Sequence, residues 1–353
     1  MDYDYVLVGQ GIAGTTLAWH LHRSGRKVLI VNDSSRPSAS MVAAGIFNPL
    51  TGRKLVKTWM ADELFPYAMH FYGGLEEELQ ARFLYLRNIY RPYRSIEEQN
   101  NYLAQTAEPG IARYVLDRPA ELSYNDFLNA QHGGLEVTGA GWVDLPVFLH
   151  KSREYFIRHE LYLEAVFDPN EMVMRDDWVE WRDLRIGKVI FCQGVDARDN
   201  ALFSWLPFAP VKGQLLEVSI DDFPAEKIVN QGIFILPDES GIHKVGATYS
   251  WHDLDWETTD EGRLYLEEKL KGLLKVPYQV LNQRAGIRPS SKDRRPMIGF
   301  HPQFQQIGVF NGLGTKGVTL APYFANNFVE YMEKGKDLNS LVNIGRYFSL
   351  YYQ

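Results

Sequence analysis

The feature that most constrains this chain is Gly9-Gln10-Gly11-Ile12-Ala13-Gly14, a G-x-G-x-x-G turn between a short apolar run, Tyr5-Val6-Leu7-Val8, and a helical pattern from Thr15 to Arg23. Leu17, Ala18 and Leu21 share one face of that pattern, Ser24-Gly25 ends it, and Lys27-Val28-Leu29-Ile30-Val31 reads as a second buried strand. A β-α-β unit of this kind lets glycine backbone approach a pyrophosphate and sets that anion at the positive end of a helix dipole. Dinucleotide binding is therefore the expected task of this first unit.

The second strand of such a unit ordinarily ends in a carboxylate that takes the adenosine ribose hydroxyls. Here that place is Asn32, followed by Asp33. An amide oxygen accepts one hydroxyl proton but forfeits the charge-assisted bond. The neutral residue also opens a reading in which Ser34, Ser35 and Arg36 receive a 2′-phosphate, against which Asp33 would act by repulsion.

The 353 residues suggest two or three structural units, at roughly 100–200 residues per domain. A formal net charge of −7 has the wrong sign for a protein held mainly by nucleic-acid phosphates or anionic lipid. Cys192 is the only cysteine, which excludes an intrachain disulfide framework and a thiolate metal cluster. The acidic start Met1-Asp2-Tyr3-Asp4 does not read as a secretory signal, and no apolar run approaches the roughly 20 residues of a membrane span. A cytoplasmic location is expected. His20 and His22, two apart on a helix, point in different directions and read as surface histidines rather than a metal pair. Glu76-Glu77-Glu78 reads as a solvated helix face, and no metal ligand set is expected.

Farther along, residues 60–80 read as helix, and Leu161 to Phe167, Trp178 to Trp181 and Lys188 to Cys192 as strands. Leu215 to Val218, Phe234 to Leu236 and His243 to Tyr249 form a β-rich stretch. Asp260 to Leu274 is helical, Gln306 to Phe310 is a strand, and a last helix is expected to begin near Leu320-Ala321-Pro322, or near Val318 where the glycine loop ends. Without a repeat or a low-complexity linker, the domains read as interleaved.

Six segments in order resemble the D-amino-acid oxidase / glycine oxidase superfamily of FAD enzymes. After the glycine turn come Ser38-Ala39-Ser40-Met41-Val42-Ala43-Ala44-Gly45, Gly141-Trp142-Val143-Asp144-Leu145-Pro146, and Lys188 to Gly194. Pro210-Val211-Lys212-Gly213-Gln214, Gly286-Ile287-Arg288-Pro289 with Asp293 and Pro296, and Asn311 to Thr319 complete the set. The resemblance implies an α/β fold: a Rossmann-like, doubly wound FAD-binding domain (1–60, 140–205 and 286–353) interleaved with a β-rich α+β substrate domain (61–139 and 206–285). It implies FAD contacted by Gly9, Gly11, Ile12, Ala13, Gly14, Asn32, Asp33, Ala44, Gly45, Ile46, Val166 and Gly194, and by the loop Gly312, Leu313, Gly314, Thr315, Lys316, Gly317. One branch attaches flavin through a cysteine, but Cys192 ends a buried strand on the adenosine side, so FAD is expected without a covalent bond. The backbone N–H groups of that loop and the Lys316 cation would stabilise negative charge on a reduced flavin.

The same resemblance implies that Arg288 binds a substrate carboxylate, a task that suits a guanidinium fork. It likens Lys244 to an oxygen-activating lysine, with a strand-end surface lysine as the alternative. Where relatives carry a tyrosine this chain has Phe234, and Tyr249 could supply a hydroxyl from the neighbouring strand. The implied activity is oxidation of a small primary or secondary amine or amino acid at its C–N bond, with O2 a possible acceptor. Pro296-Met297-Ile298-Gly299 and the 312–317 loop look closest to an oxidase acting on carboxymethylaminomethyl-modified tRNA wobble uridine. That reading would need Arg53-Lys54 with Lys57, and Arg294-Arg295, to form one basic lip; a non-catalytic flavin-binding protein is a third reading.

Overall fold

The computed structural model describes residues 1–52, 54–116, 124–238 and 240–352. Two large sheets organise the chain. In the first, Tyr3–Val8 pairs in parallel with Val28–Asn32 on one side and with Leu184–Phe191 on the other, and Ile307–Asn311 pairs in parallel with Leu184–Phe191. Val6, Leu7, Ile30, Val31, Val189 and Ile190 are fully buried, as expected of parallel strands covered on both faces. Antiparallel strands at Met172–Met174, Val179–Trp181 and Met297–Phe300 extend this sheet, so its strand orientation is mixed.

Tyr162–Glu164 adds to the far side of Val28–Asn32 and is shorter than the expected 161–167 strand. Its partner ends at Asn32, whose carbonyl accepts from Ala165 N–H, and Val166 and Phe167 then leave the ladder. The second sheet runs Gln279–Arg288, Val211–Ser219, Ile242–Gly246, Phe234–Leu236, Ile228–Asn230, Ile89–Pro92 and Gly134–Val137.

The first helix, Ile12–Arg23, packs against the last long one, Gly317–Lys334, with their N-termini side by side: a Cβ on Gly317 would lie 3.2 Å from Ile12 Cγ2. The last helix starts at Gly317, next to the expected start near Val318, so Pro322 lies inside it rather than at its first turn. Proline has no N–H to give the carbonyl four residues back. The hydroxyl of buried Tyr72 donates to that Val318 carbonyl instead, at 2.9 Å. Tyr72 belongs to Ala61–Leu79, which thereby packs on the helix layer of the first sheet although its sequence lies in the segment expected with the second.

Two polar groups expected at the surface are structural. Glu76 Oε1 accepts from the N–H groups of Phe83 and Leu84, at 2.6 and 2.7 Å, and so anchors the chain after its helix. His20 stacks on Phe71 with ring centroids 4.8 Å apart, and its ring nitrogens meet the Thr16 carbonyl and the Tyr67 hydroxyl. His22 faces Tyr155 instead.

Desolvation lowers His20 from 6.5 to about 4. The unfolded chain therefore binds the extra proton first as the pH falls. This contribution is complete above pH 6.5 and is lost on the way down to about pH 4. It amounts to at most about 3 kcal/mol. Denaturant unfolding of His20→Phe should accordingly lose less stability over that window than the parent; equal losses would remove His20 from the acid response.

Candidate active site

The carboxyl ends of the first sheet's parallel strands face residues from five strands of the second sheet, among them Gly286, Gly213, Gly246, Phe234 and Asn230, across a cavity of about 1320 Å³. Open α/β sheets bind ligands at such strand ends. Gly9, Gly11, Ile12, Ala13, Asn32, Asp33, Ala44, Gly45, Ile46, Val166 and Gly194 line it, together with Leu313, Gly314, Thr315, Lys316 and Gly317. Gly14 and Gly312 lie behind the wall. A Cβ on Gly14 would overlap the Gly9 carbonyl oxygen, and one on Gly312 would sit 2.9 Å from Met297 N. These two glycines shape the turns rather than face the ligand space.

Gly9, at φ +103°, needs the left-handed freedom of glycine. Gly11 has ordinary dihedrals, and a Cβ there would meet only Ser40 Oγ, at 3.4 Å, and Ser38 Oγ. Ser40 Oγ accepts from Ile12 N–H at 3.1 Å, so the small-residue segment is tied to the helix N-terminus. Asn311, buried at the end of its strand, donates from Nδ2 to the Gly194 carbonyl and accepts from Gly312 N–H, which holds two loops of the wall together.

At the end where adenosine was expected, Asn32, Asp33 and Arg36 are committed to the protein. Asn32 Oδ1 accepts from Gln10 N–H at 2.8 Å, and its Nδ2 donates to the Tyr162 hydroxyl. Asp33 Oδ1 accepts from Ser35 N–H and hydroxyl, and those bonds lower its carboxyl below the ordinary range. Arg36 pairs with Asp196 at 2.9 Å and with Asp33 at 3.4 Å, which spends the charge that a 2′-phosphate would need. Sequence reasoning missed Gln10 and Arg153 here. Gln10 lay in view as a variable position of the glycine turn; no local signal marks Arg153.

At the opposite end stands Arg288. Gly213 makes room for its guanidinium, which a Cβ there would overlap. Nη1 donates to the carbonyls of Lys212 and Thr248 at 3.4 and 3.3 Å, and the guanidinium carbon lies 4.4 Å from the Tyr249 ring centroid. Among the described residues no carboxylate pairs with it, and desolvation lowers its pKa. Tyr249 lines the cavity with its side chain exposed, and the half-buried Phe234 lines it as well.

Lys244 does not line the cavity. It stands in Ile242–Gly246, opposite Glu217 on one side and Leu236 on the other, two residues short of Gly246, where the wall begins. Lys316 reaches the wall with its Nζ 3.4 Å from Thr58 Oγ1, and its pKa is lowered by desolvation and by Arg295 and Arg294. Arg295 stacks on Trp59 at 4.0 Å, so the chain around 58–59 and the 294–295 pair do meet beside Lys316. Lys57 is paired with Asp62, and Arg53 lies outside the described residues.

Two proteins are similar to this chain in sequence and one solved structure in fold. A glycine oxidase of Pseudomonas aeruginosa is 32% identical over 353 residues, covering 91% of this chain and 92% of that protein. A tRNA 5-methylaminomethyl-2-thiouridine biosynthesis bifunctional protein MnmC of Marinobacter nauticus is 27% identical over 91% of this chain; the match spans about half, 54%, of that protein. The crystal structure of iminodiacetate oxidase (IdaA) from Chelativorans sp. BNC1 shares the fold with a TM-score of 0.78 at 21% identity, covering 97% of this chain and 98% of that one. No helix among the described residues is long and apolar enough to cross a membrane. Residues 4–330, which include every strand end that frames the cavity, match the model of the FAD dependent oxidoreductase family, and the chain belongs to that family.

Proposed function

We propose that the chain oxidises a small primary or secondary amine bearing a carboxylate. The observation that carries this reading is Arg288, a guanidinium inside the cavity with carbonyl partners and, among the described residues, no acidic one. A half-buried cation without a counter-ion is costly, and an anionic ligand offsets that cost.

The cavity fits FAD. Two helix N-termini meet in its wall, and Gly11, where a Cβ would meet only the hydroxyls of Ser40 and Ser38, leaves backbone bare where a phosphate needs close approach. Cys192 is buried behind the glycine turn, where burial pushes its thiol pKa up; this supports non-covalent retention. When bound, FAD supplies the acceptor for a hydride from the carbon beside the substrate nitrogen.

The chain's own part is positioning. Arg288 orients the carboxylate, and apolar cavity residues such as Phe234 disfavour the ammonium form, leaving the amine neutral. The resulting imine is hydrolysed by water. No side chain is assigned as general base, and the position of Lys244 outside the cavity gives no support to an oxygen-side role. Anaerobic mixing with carboxylated amines should bleach the protein's yellow absorption, and failure with every primary and secondary amino acid would refute the reading.

A second reading, action on a modified tRNA, is favoured by the cations Arg294, Arg295 and Lys316 beside Trp59, which have no carboxylate partner among the described residues. Salt separates the two. Contacts to several phosphates lose affinity steeply as salt rises, about 0.7 to 0.9 log units per phosphate per log unit of salt, whereas one arginine in a cavity shows a shallow dependence. The expected result is amine oxidation that changes little from low to physiological salt, with no competition by tRNA. Tight tRNA binding that collapses with salt and with neutralisation of Arg294 and Arg295 would reverse the order of the two readings.

A further inference from the structure

We infer that Arg153 is a ligand of the adenylate half of FAD, replacing with a cation the carboxylate that the second strand lacks. The inference rests on the assignment of FAD to this cavity. Arg153 lies in the helix Leu145–Arg158, whose N-terminus is capped by Asp144 through Val147 N–H, and it lines the cavity at the end where Asn32 and Asp33 stand.

Its aim is fixed by Gln10. The Gln10 side chain, 4% exposed, donates from Nε2 to the Leu149 carbonyl at 2.9 Å. Its Oε1 accepts from Arg153 Nε at 2.6 Å. Leu149 and Arg153 are one helical turn apart, so a single amide grips both and ties them to the glycine turn. One face of the guanidinium also approaches the Tyr162 ring, 5.6 Å from its centroid.

What remains is a set of donors without acceptors. Among the described residues, only Nε of Arg153 has a hydrogen-bond partner, and no carboxylate lies within 4.0 Å of the guanidinium. The neighbouring carboxylate, Glu164, accepts from Ser34 N–H and hydroxyl and from the Tyr162 hydroxyl. The Nη groups form a planar fork that suits phosphoryl and ribose oxygens. An adenylate is the acceptor-rich, anionic group that the FAD-binding cradle brings to this end.

Dissociation constants measured by flavin fluorescence test this, for FAD and in parallel for FMN, which lacks the adenylate. Arg153→Ala should raise the constant for FAD about 10- to 100-fold, the effect of one charged hydrogen-bonding partner, and leave that for FMN unchanged. Arg153→Lys keeps the charge without the fork and should fall between; it also carries the test should the alanine variant fail to fold. A rise of less than fivefold for FAD, or an equal weakening of FMN, would overturn the assignment. Parent protein that binds no FAD would instead overturn the cofactor assignment beneath it.

Discussion

Gly14→Ala should give a protein that is poorly folded and colourless, whereas Gly11→Val should give a folded protein that is colourless. The two substitutions fall three residues apart in one motif and act through different physics. At Gly14 a methyl group has no room, because the Gly9 carbonyl occupies its place and Cys192 Cβ lies 3.4 Å away. Relief requires moving the glycine turn against the buried strand that leads into Cys192, a disruption of the kind that costs more than about 4 kcal/mol.

At Gly11 the backbone is extended in a way any residue adopts, and the nearest protein atom to an added Cβ is Ser40 Oγ, at ordinary contact distance. A valine there is accommodated by the protein but projects into the space a pyrophosphate needs at the helix N-terminus. Thermal unfolding and the flavin absorbance of the purified variants decide the matter. If Gly11→Val retains yellow colour with the parent's stoichiometry, the phosphates do not lie over Gly11; if Gly14→Ala unfolds at the parent's temperature, the turn is more yielding than its geometry implies.

The contrast shows which parts of the molecule were legible in the sequence. Strand, turn and first helix follow from a local pattern, since glycine conformation and apolar periodicity are set within a few residues. The helix Asp260–Leu273 was equally readable, with Thr259 as its cap and polar and apolar residues alternating at helical spacing. The glycine loop puts the start of the last helix near Val318, but how that helix accommodates Pro322 was not readable. Pro322 reads as a first-turn residue until Tyr72, 246 positions away from Val318, is seen to satisfy the carbonyl that proline leaves free.

At the site the same division holds. Arg288 could be placed by the resemblance because its motif is contiguous, and the cavity contains it. Arg153 could not, because its meaning depends on Gln10, 143 residues away. Lys244 shows the remaining gap: a lysine on a strand carries no information about where along the sheet the cavity wall begins. That boundary is set by the registers pairing Gly246 with Leu215 and Phe234. Asn32 is a related case, since its position was legible while its commitment to Gln10 N–H was not.

Arg288→Ala is expected to lower kcat/KM for the best carboxylated amine by roughly 10- to 150-fold, which corresponds to removal of a charged hydrogen-bonding partner costing about 1.5–3 kcal/mol. The variant should fold and keep FAD, because the guanidinium's contacts within the protein are two long bonds to carbonyls and one ring face. Arg288→Lys should recover little of the loss: an ammonium keeps the charge but cannot present two parallel donors to a carboxylate. Gly213→Ala provides an independent approach to the same point, since its methyl group would occupy the guanidinium's present position and must displace it. Both substitutions should spare amines that have no carboxylate, for which Arg288 offers nothing to bind. Steady-state kinetics on a matched pair of amines, one with and one without the carboxylate, distinguishes this from general damage. An equal loss on both members of the pair would mean that Arg288 supports the cavity's shape, and undiminished oxidation of the carboxylated amine would mean that its carboxylate is held elsewhere.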